Sequence, residues 1–238
     1  EADTATGSNT RLELHYARVY YREPDKFTPK MSIEKFIVED GEIVNSEKVL
    51  FEILGLPVWY LPNLQIPTDV EPFRVKAKLG TRGNLGVFAQ TQILFPLTET
   101  WYAGGNLDAY SERGLLLGPA FRFLEETEDS FTDFYVSTGW IHDGGNRGKD
   151  IFGEKVPKNR YFIEGFLTED WGSKHNLQGL YNLYSDPEIR RDFHFDDFYH
   201  NQQPDNFLEY RYQENDWSLS AFVRADPNQF FSTDFNSL

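Results

Sequence analysis

Apolar and polar residues alternate along most of this chain, in segments separated by polar turns. Residues 11–22, 32–38 and 42–54 alternate in this way, and Glu39-Asp40-Gly41 supplies a tight turn. Successive side chains of a β-strand point to opposite faces, so a period of two predicts strands with one buried face. Aromatic residues make up 16% of the chain, which also favours pleated strands. No segment has convincing helical spacing, and the sequence therefore predicts an all-β protein.

The second half of the chain carries longer segments of the same kind. They span residues 84–94, 98–110, 114–123, 131–141, 160–168, 175–184, 206–212 and 217–224. Most hold about 9 to 11 residues, the length that a tilted strand needs to cross a bilayer. In the final segment, Trp217, Leu219, Ala221 and Val223 alternate with Ser218, Ser220 and Arg224, which fits an apolar outer and a polar inner face. A soluble β-sandwich would show the same alternation, so both architectures stay open on periodicity alone.

Four prolines interrupt the pattern between the two halves. Pro57, Pro62, Pro67 and Pro72 lack the backbone N–H that a central strand donates to its ladder. We therefore predict a junction at residues 56–73, between an N-terminal domain (1–55) and a C-terminal domain (74–238).

Composition narrows the function classes. A net charge of −15 argues against a nucleic-acid partner. There is no Cys, the five His lack metal-binding spacing, and acidic pairs such as Asp196-Asp197 and Glu125-Glu126 fall in polar turns. We expect no cofactor, no metal site and no enzymatic activity. The first ten residues lack the features of a secretory signal, so we expect that such a signal was removed or precedes a fragment.

A row of cations follows the proline segment directly. Arg74, Lys76 and Lys78 occupy alternate positions, so on a strand they point to one face. Such a row can hold phosphate groups through charge-assisted contacts. It can equally be a solvated strand face on which lysines discourage aberrant pairing.

The chain carries several motifs in a fixed order, the most specific being Leu56-Pro57-Val58-Trp59-Tyr60-Leu61-Pro62 followed by Ile66-Pro67. After it come Ile93-Leu94-Phe95-Pro96, Tyr110-Ser111-Glu112-Arg113-Gly114, Phe121-Arg122-Phe123 and Tyr184-Ser185-Asp186-Pro187. Together, over residues 32–238, these motifs resemble the LptD (OstA/Imp) family of outer-membrane lipopolysaccharide-assembly proteins, in which they stand in the same order.

The resemblance implies a fold, a location and partners. Residues 1–55 would be the C-terminal part of a periplasmic β-jelly-roll, and residues 74–238 the first antiparallel meander strands of an incomplete outer-membrane β-barrel. The function implied is the transport of lipopolysaccharide into the outer leaflet, with an LptE-like plug lipoprotein and an LptA-like periplasmic bridge protein as partners. Arg74, Lys76 and Lys78 would contact the glycolipid, and Pro57, Tyr60, Pro62 and Pro67 would form the junction and gate.

Two departures from the family stand out. The cysteines that link jelly-roll and barrel in some members are absent, and no Pro occurs between Val75 and Leu85. Neither that linkage nor a gate built on the same prolines carries over. Two rival functions remain: a soluble β-sandwich that binds or cleaves polysaccharide, and a general outer-membrane porin.

Overall fold

The computed structural model of the chain describes residues 1–8, 11–20, 23, 28–39, 43–53, 55–67, 73–201 and 205–228. These residues form two antiparallel sheets, so the predicted all-β class is confirmed. The chain divides into two compact units, Glu1–Arg74 with Phe95–Tyr102 and Val75–Leu94 with Ala103–Leu238. The predicted turn residues Asp40 and Gly41, together with Pro72, lie outside the described residues.

The first sheet has five strands that pair in chain order. They are β1 (Thr4–Gly7), β2 (Arg11–Tyr20), β3 (Lys30–Glu39), β4 (Ile43–Ile53) and β5 (Leu56–Pro67). Ala17, Ile33 and Val49 are buried and form one row across three strands. The ring of Phe51 meets Phe73 edge-on, with centroids 4.8 Å apart, and lies 6.0 Å from Phe95. Alternation thus contributes to the core of this unit in β3 and β4, whereas in β2 the predicted apolar residues Leu12 and Tyr16 are exposed and Ala17 is buried.

The proline segment differs from the predicted junction. Residues 56–67 are not a linker, because they form strand β5, which pairs with β4 from Ile43 opposite Pro67 to Ile53 opposite Leu56. The ladder tolerates prolines because β5 is an edge strand, where a missing N–H can face away from the neighbouring strand. A register shift between Phe51 and Glu52 lies beside Pro57. The first unit accordingly extends to Arg74 rather than ending at residue 55.

The second sheet is a meander of nine strands in consecutive order, as predicted for residues 74 onward. The strands are β6 (Arg74–Arg82), β7 (Gly86–Pro96), β8 (Trp101–Tyr110), β9 (Gly114–Glu126), β10 (Ser130–His142), β11 (Asn159–Trp171), β12 (His175–Tyr184), β13 (Phe207–Gln213) and β14 (Ser218–Arg224). They agree closely with the alternating segments of the sequence. In this order β6 and β14 are the edge strands.

The two faces of the nine-stranded sheet differ in polarity, although Leu180 and Phe222 on the second face are also exposed. The apolar face carries exposed hydrophobic side chains, namely Leu79, Val87, Leu115, Leu117, Phe121, Phe134, Trp140, Tyr161, Tyr181, Leu208, Leu219 and Val223. In β14, Leu219, Ala221 and Val223 lie opposite Tyr212, Tyr210 and Leu208, whereas Ser218 and Ser220 lie opposite Gln213 and Arg211. The predicted separation of these residues onto two faces is confirmed.

The other face, called the cleft face below, is partly covered by two short helices in the connection from β12 to β13. They are α1 (Ile189–Phe193) and α2 (Phe195–His200). Ile189 and Phe193 of α1 pack into a buried cluster with Leu85, Phe88, Tyr110, Leu116, Ile141, Phe162 and Tyr184. Neither helix is predicted from the sequence, because helices of five and six residues are too short to display a helical period.

Candidate functional site

A polar cleft of about 350 Å³ opens on the cleft face of the nine-stranded sheet. Alternate residues of five strands line it, which places them all on one side of the sheet. These residues are Lys76 and Lys78, Gln90 and Gln92, Asn106 and Asp108, Tyr135 and Ser137, and Phe162 and Glu164. His194 and Asp197, from the start and middle of the α2 region, also line it. The cleft therefore combines both signs of charge with neutral hydrogen-bonding groups.

Amides and hydroxyls of the cleft wall hold one another in place. The Gln92 amide Nε2 donates to Asn106 Oδ1 at 2.9 Å and to the Tyr135 hydroxyl at 2.6 Å. Asn106 Nδ2 donates in turn to Ser137 Oγ at 2.8 Å and to the carbonyl oxygen of Thr138 at 2.7 Å. Such a network fixes side-chain rotamers, so this part of the cleft presents a preorganised polar surface.

Carboxylates in the cleft are also engaged. Asp108 accepts hydrogen bonds from the Thr91 N–H at 2.9 Å and from the Tyr110 hydroxyl at 3.0 Å. Glu164 accepts one from the Tyr184 hydroxyl at 2.7 Å. Because each acid already has a partner, neither is presented as an isolated base.

The structure brings two of the three predicted cations into the cleft. Lys76 and Lys78 line it, and the Lys76 Nζ lies 5.9 Å from the ring centroid of Tyr135. Lys78 forms an ion pair with the Asp196 carboxylate of α2. Arg74 lies instead over the ring of Tyr102, 4.5 Å from its centroid. Sequence alternation identified the shared face, but it did not reveal the acid that partners Lys78.

The predicted gate residues lie in β5, in the first unit and not in the nine-stranded sheet. Tyr60 is exposed, as are Pro57 and Pro62, while the side chain of Pro67 lies outside the description. The structure does not bring these four residues together with Lys76 and Lys78 in one described site.

A buried ion network adjoins the cleft at the end of the sheet that carries the α1–α2 connection. Arg160, whose side chain is fully buried, donates Nε and Nη2 to the two carboxylate oxygens of Asp186 at 2.9 and 2.8 Å. Its Nη1 bonds Asp143 at 2.9 Å and Asp192 at 2.7 Å. Arg113 donates Nε to Asp143 at 2.7 Å and Nη2 to Asp192 at 3.0 Å. Two guanidinium groups thus join three carboxylates from two connections, residues 143–158 and 185–206.

The network controls the charge of its members. Burial alone would raise the pKa of the Asp143 carboxyl, but hydrogen bonds from Arg113, Arg160 and the Gly145 N–H outweigh it and hold this pKa below its usual value. Asp143 therefore stays ionised, as the ion pairs require. Phe193 lies under both guanidinium groups, about 5 Å away, and shields them from water.

The sequence does not predict this Arg–Asp network, although two of its members belong to the motifs named above. Arg113 comes from Tyr110-Ser111-Glu112-Arg113-Gly114 and Asp186 from Tyr184-Ser185-Asp186-Pro187. The signal that points to them is the placement of a charged residue next to a strand end, in motifs that stand in a fixed order. Asp143 and Asp192 carry no such signal, since they fall in ordinary polar connections.

Among the residues that the structure describes, no three His, Asp or Glu side chains are grouped so that they could hold a metal ion. No helix in the described ranges is long and apolar enough to cross a membrane.

Comparison with known proteins adds no assignment: no protein-family model matches this chain, and no curated protein matches it. The fold and the cleft define the class, an all-β protein with two antiparallel meander sheets, the larger of which has one apolar and one polar face.

Proposed function

We propose that this chain is part of an LptD-like outer-membrane protein that passes lipopolysaccharide to the cell surface. The nine-stranded sheet would be a portion of the barrel wall, and the five-stranded sheet the end of a periplasmic β-jelly-roll. The observation that carries the proposal is the opposite polarity of the two faces of the nine-stranded sheet. The role is one of transport, without covalent chemistry.

The apolar face is difficult to reconcile with a water-soluble protein. Exposed hydrophobic side chains run across it from Leu79 on β6 to Val223 on β14, and Val223 is 67% exposed. Soluble monomers rarely expose contiguous apolar patches larger than a few hundred Å². A barrel wall has this arrangement, with apolar residues toward lipid and polar residues toward the lumen. The face therefore favours a membrane wall over a soluble polysaccharide-binding sandwich.

Aromatic residues border the apolar face at two heights. Toward one end, the rings of Trp171 and His175 are stacked, with centroids 5.1 Å apart, and His175 lies 4.9 Å from Tyr212. Toward the other end, Trp140 and Tyr161 lie opposite each other on β10 and β11. Such pairs fit the aromatic girdles that flank the lipid-facing band of a barrel.

The spacing of these aromatic groups matches a bilayer. Tyr161 and Trp171 stand on the same face of β11, ten residues apart (171 − 161). Ten residues of strand extend roughly 33 Å. A tilt of about 35–45° reduces this to roughly 23–27 Å across the membrane, close to the apolar band of about 25 Å in outer-membrane barrels.

Turn lengths supply an orientation. At one end of the sheet every connection is short, at residues 97–100, 127–129, 172–174 and 214–217. The two long connections, at residues 143–158 and 185–206, lie at the other end. Barrels of this type have short periplasmic turns and longer extracellular loops. Strand β6 begins at the end with the short turns, so in this orientation its start lies on the periplasmic side.

Lys76 is the residue best placed to test the transport role, since it lies in the cleft on the first strand of the sheet. If lipopolysaccharide passes this strand, its phosphates would meet Arg74, Lys76 and Lys78 through charge-assisted contacts. Partners analogous to an LptE-like plug and an LptA-like bridge would complete the pathway.

The experiment uses the full-length protein in cells. A photo-crosslinking residue at position 76 should capture lipopolysaccharide, and Arg74→Gln, Lys76→Gln and Lys78→Gln combined should slow surface delivery with normal assembly. The matched control replaces three exposed lysines of the 143–158 connection by Gln, namely Lys149, Lys155 and Lys158. No crosslink, together with unchanged delivery in the first triple variant, would overturn the proposal.

A further inference from the structure

The connection between β12 and β13 reaches across the cleft face to the opposite edge of the nine-stranded sheet. Its helical part, residues 189–200 (α1 and α2), is called the strap below. Although the strap follows β12 in the chain, it contacts β6, the edge strand at the other end of the pairing order. The strap thus connects elements that the meander itself keeps apart.

Three kinds of contact hold β6 to the strap. The Arg82 Nη1 donates to the carbonyl oxygens of Arg191 and Asp192, at 3.1 and 3.3 Å. The Arg82 guanidinium also lies over the Phe195 ring, 4.2 Å from its centroid. Four residues earlier on the same face of β6, Lys78 forms an ion pair with Asp196. Lys78 in the middle of β6 and Arg82 at its end therefore contact the two helices of the strap: Arg82 contacts both α1 and α2, and Lys78 contacts α2.

The two helices of the strap are anchored unequally. In α1, Ile189, Asp192 and Phe193 are buried, and Asp192 bonds Arg113, Arg160 and Asn84. None of the residues of α2 is buried. The first helix is therefore fixed in the ion network, whereas the second can lift from the sheet at little cost in buried surface.

Strand β6 needs such a support. As an edge strand it has one neighbouring strand, β7, and most of its residues are exposed or half-buried. Edge strands with few buried contacts open locally more readily than central strands. The contacts of Arg82 and Lys78 supply a second point of attachment that does not depend on the ladder.

We propose that the strap is a releasable latch on β6: α1, whose carbonyl oxygens accept the Arg82 hydrogen bonds, is the fixed part, and α2, held by the Lys78–Asp196 ion pair and by Phe195 against the Arg82 guanidinium, is the part that opens. Release of α2 moves Asp197 away from the cleft that it lines. The role of the latch in delivering a glycolipid past β6 rests on the proposed function, whereas its hold on β6 does not.

Hydrogen exchange tests the hold itself. In the purified protein, Lys78→Ala combined with Arg82→Ala should speed amide exchange in β6 at least tenfold, with β9, β10 and β11 unchanged. Lys76→Ala is the matched control for this measurement, because Lys76 is a cation on the same face of β6 that lies near the Tyr135 ring of β10. Unchanged exchange in β6 of the double variant would overturn the latch, whatever the transported molecule is.

A reversible lock tests the release. These 238 residues contain no cysteine, so Lys78→Cys with Asp196→Cys introduces a single thiol pair among them, and any cysteine elsewhere in the full-length protein is replaced by Ser. In full-length protein in cells, bridging the pair with a short, reducible thiol crosslinker should lower surface delivery of lipopolysaccharide several-fold, and reduction should restore it. Normal delivery while bridged would overturn release as a step. If exchange supports the hold but neither the lock nor the triple Gln variant alters delivery, the proposed function fails and the hold on β6 stands.

Discussion

Arg160 at the start of β11 and Asp186 just after β12 form a two-pronged ion pair, although 26 positions separate them in the chain. Both guanidinium contacts are shorter than 3.0 Å, and the Arg160 side chain is inaccessible to water. A charge can be buried in this way only if it is fully paired, because unpaired burial costs several kcal/mol or more. The pair, with Asp143, Asp192 and Arg113, fastens three chain connections to one another.

Removal of Arg160 should therefore destabilise the second unit strongly. Arg160→Leu leaves Asp186 without its guanidinium partner and leaves Asp143 and Asp192 with Arg113 alone, and such losses cost about 3–5 kcal/mol. Arg211→Gln is the control, because its pair with Glu209 is half exposed and worth at most about 1 kcal/mol. Urea unfolding followed by tryptophan fluorescence gives both values. Equal effects in the two variants would show that the network does not stabilise the fold.

Acid should weaken the same network in a defined pH range. The folded-state pKa of Asp143 lies below the reference value of 3.8, so its contribution is fully present above about pH 4 and is lost as pH falls through the folded pKa. Asp143→Asn lacks this contribution. The difference in unfolding free energy between wild type and Asp143→Asn should be constant from pH 7 to about pH 5 and shrink below about pH 4. A difference that stays constant down to pH 2 would contradict the assignment.

The two faces of β14 should report different surroundings. A cysteine-linked environment-sensitive fluorophore at Leu219 should be quenched by lipid-attached nitroxide, because Leu219 belongs to the apolar face. The same fluorophore at Ser220, the next residue on the opposite face, should be quenched by aqueous iodide instead. The absence of native cysteine makes each label unique. Iodide quenching at Leu219 would reverse the assignment of faces.

The turn between β11 and β12 offers a test of backbone strain. Ser173 has φ of 54°, a left-handed conformation that costs a non-glycine residue about 1–2 kcal/mol. Ser173→Gly relieves this strain, while the added freedom of the unfolded chain costs about 0.4–1 kcal/mol, so a net gain between about 0 and 1.6 kcal/mol is expected. Glu128→Gly, in the β9–β10 turn, should only lose stability. A loss of similar size in both variants, measured by thermal unfolding, would show that the Ser173 conformation carries no strain.

The features that the sequence predicts correctly depend on local interactions, whereas those it does not predict depend on contacts between residues far apart in the chain. Strands β7 to β14 could be located because alternation and turn residues are local signals. The prolines of residues 56–67 predict a junction, because the sequence does not reveal that these residues form the edge strand β5. Lys76 and Lys78 could be placed on one face by counting residues, but the partner of Lys78 lies 118 positions away. Pairings over such distances depend on the complete topology.

The meander order of the nine strands also determines the order in which the chain can fold. Six of the eight hairpins close loops of three or four residues, and all eight pair strands that are neighbours in the chain, so strand pairing needs no distant segment. The bonds of Asp192 are different, since they reach Arg113 across 79 positions and Asn84 across 108. These bonds can form only after the intervening strands have assembled. We therefore expect the Arg–Asp network to close last, at the step where a row of independent hairpins becomes one cooperative unit.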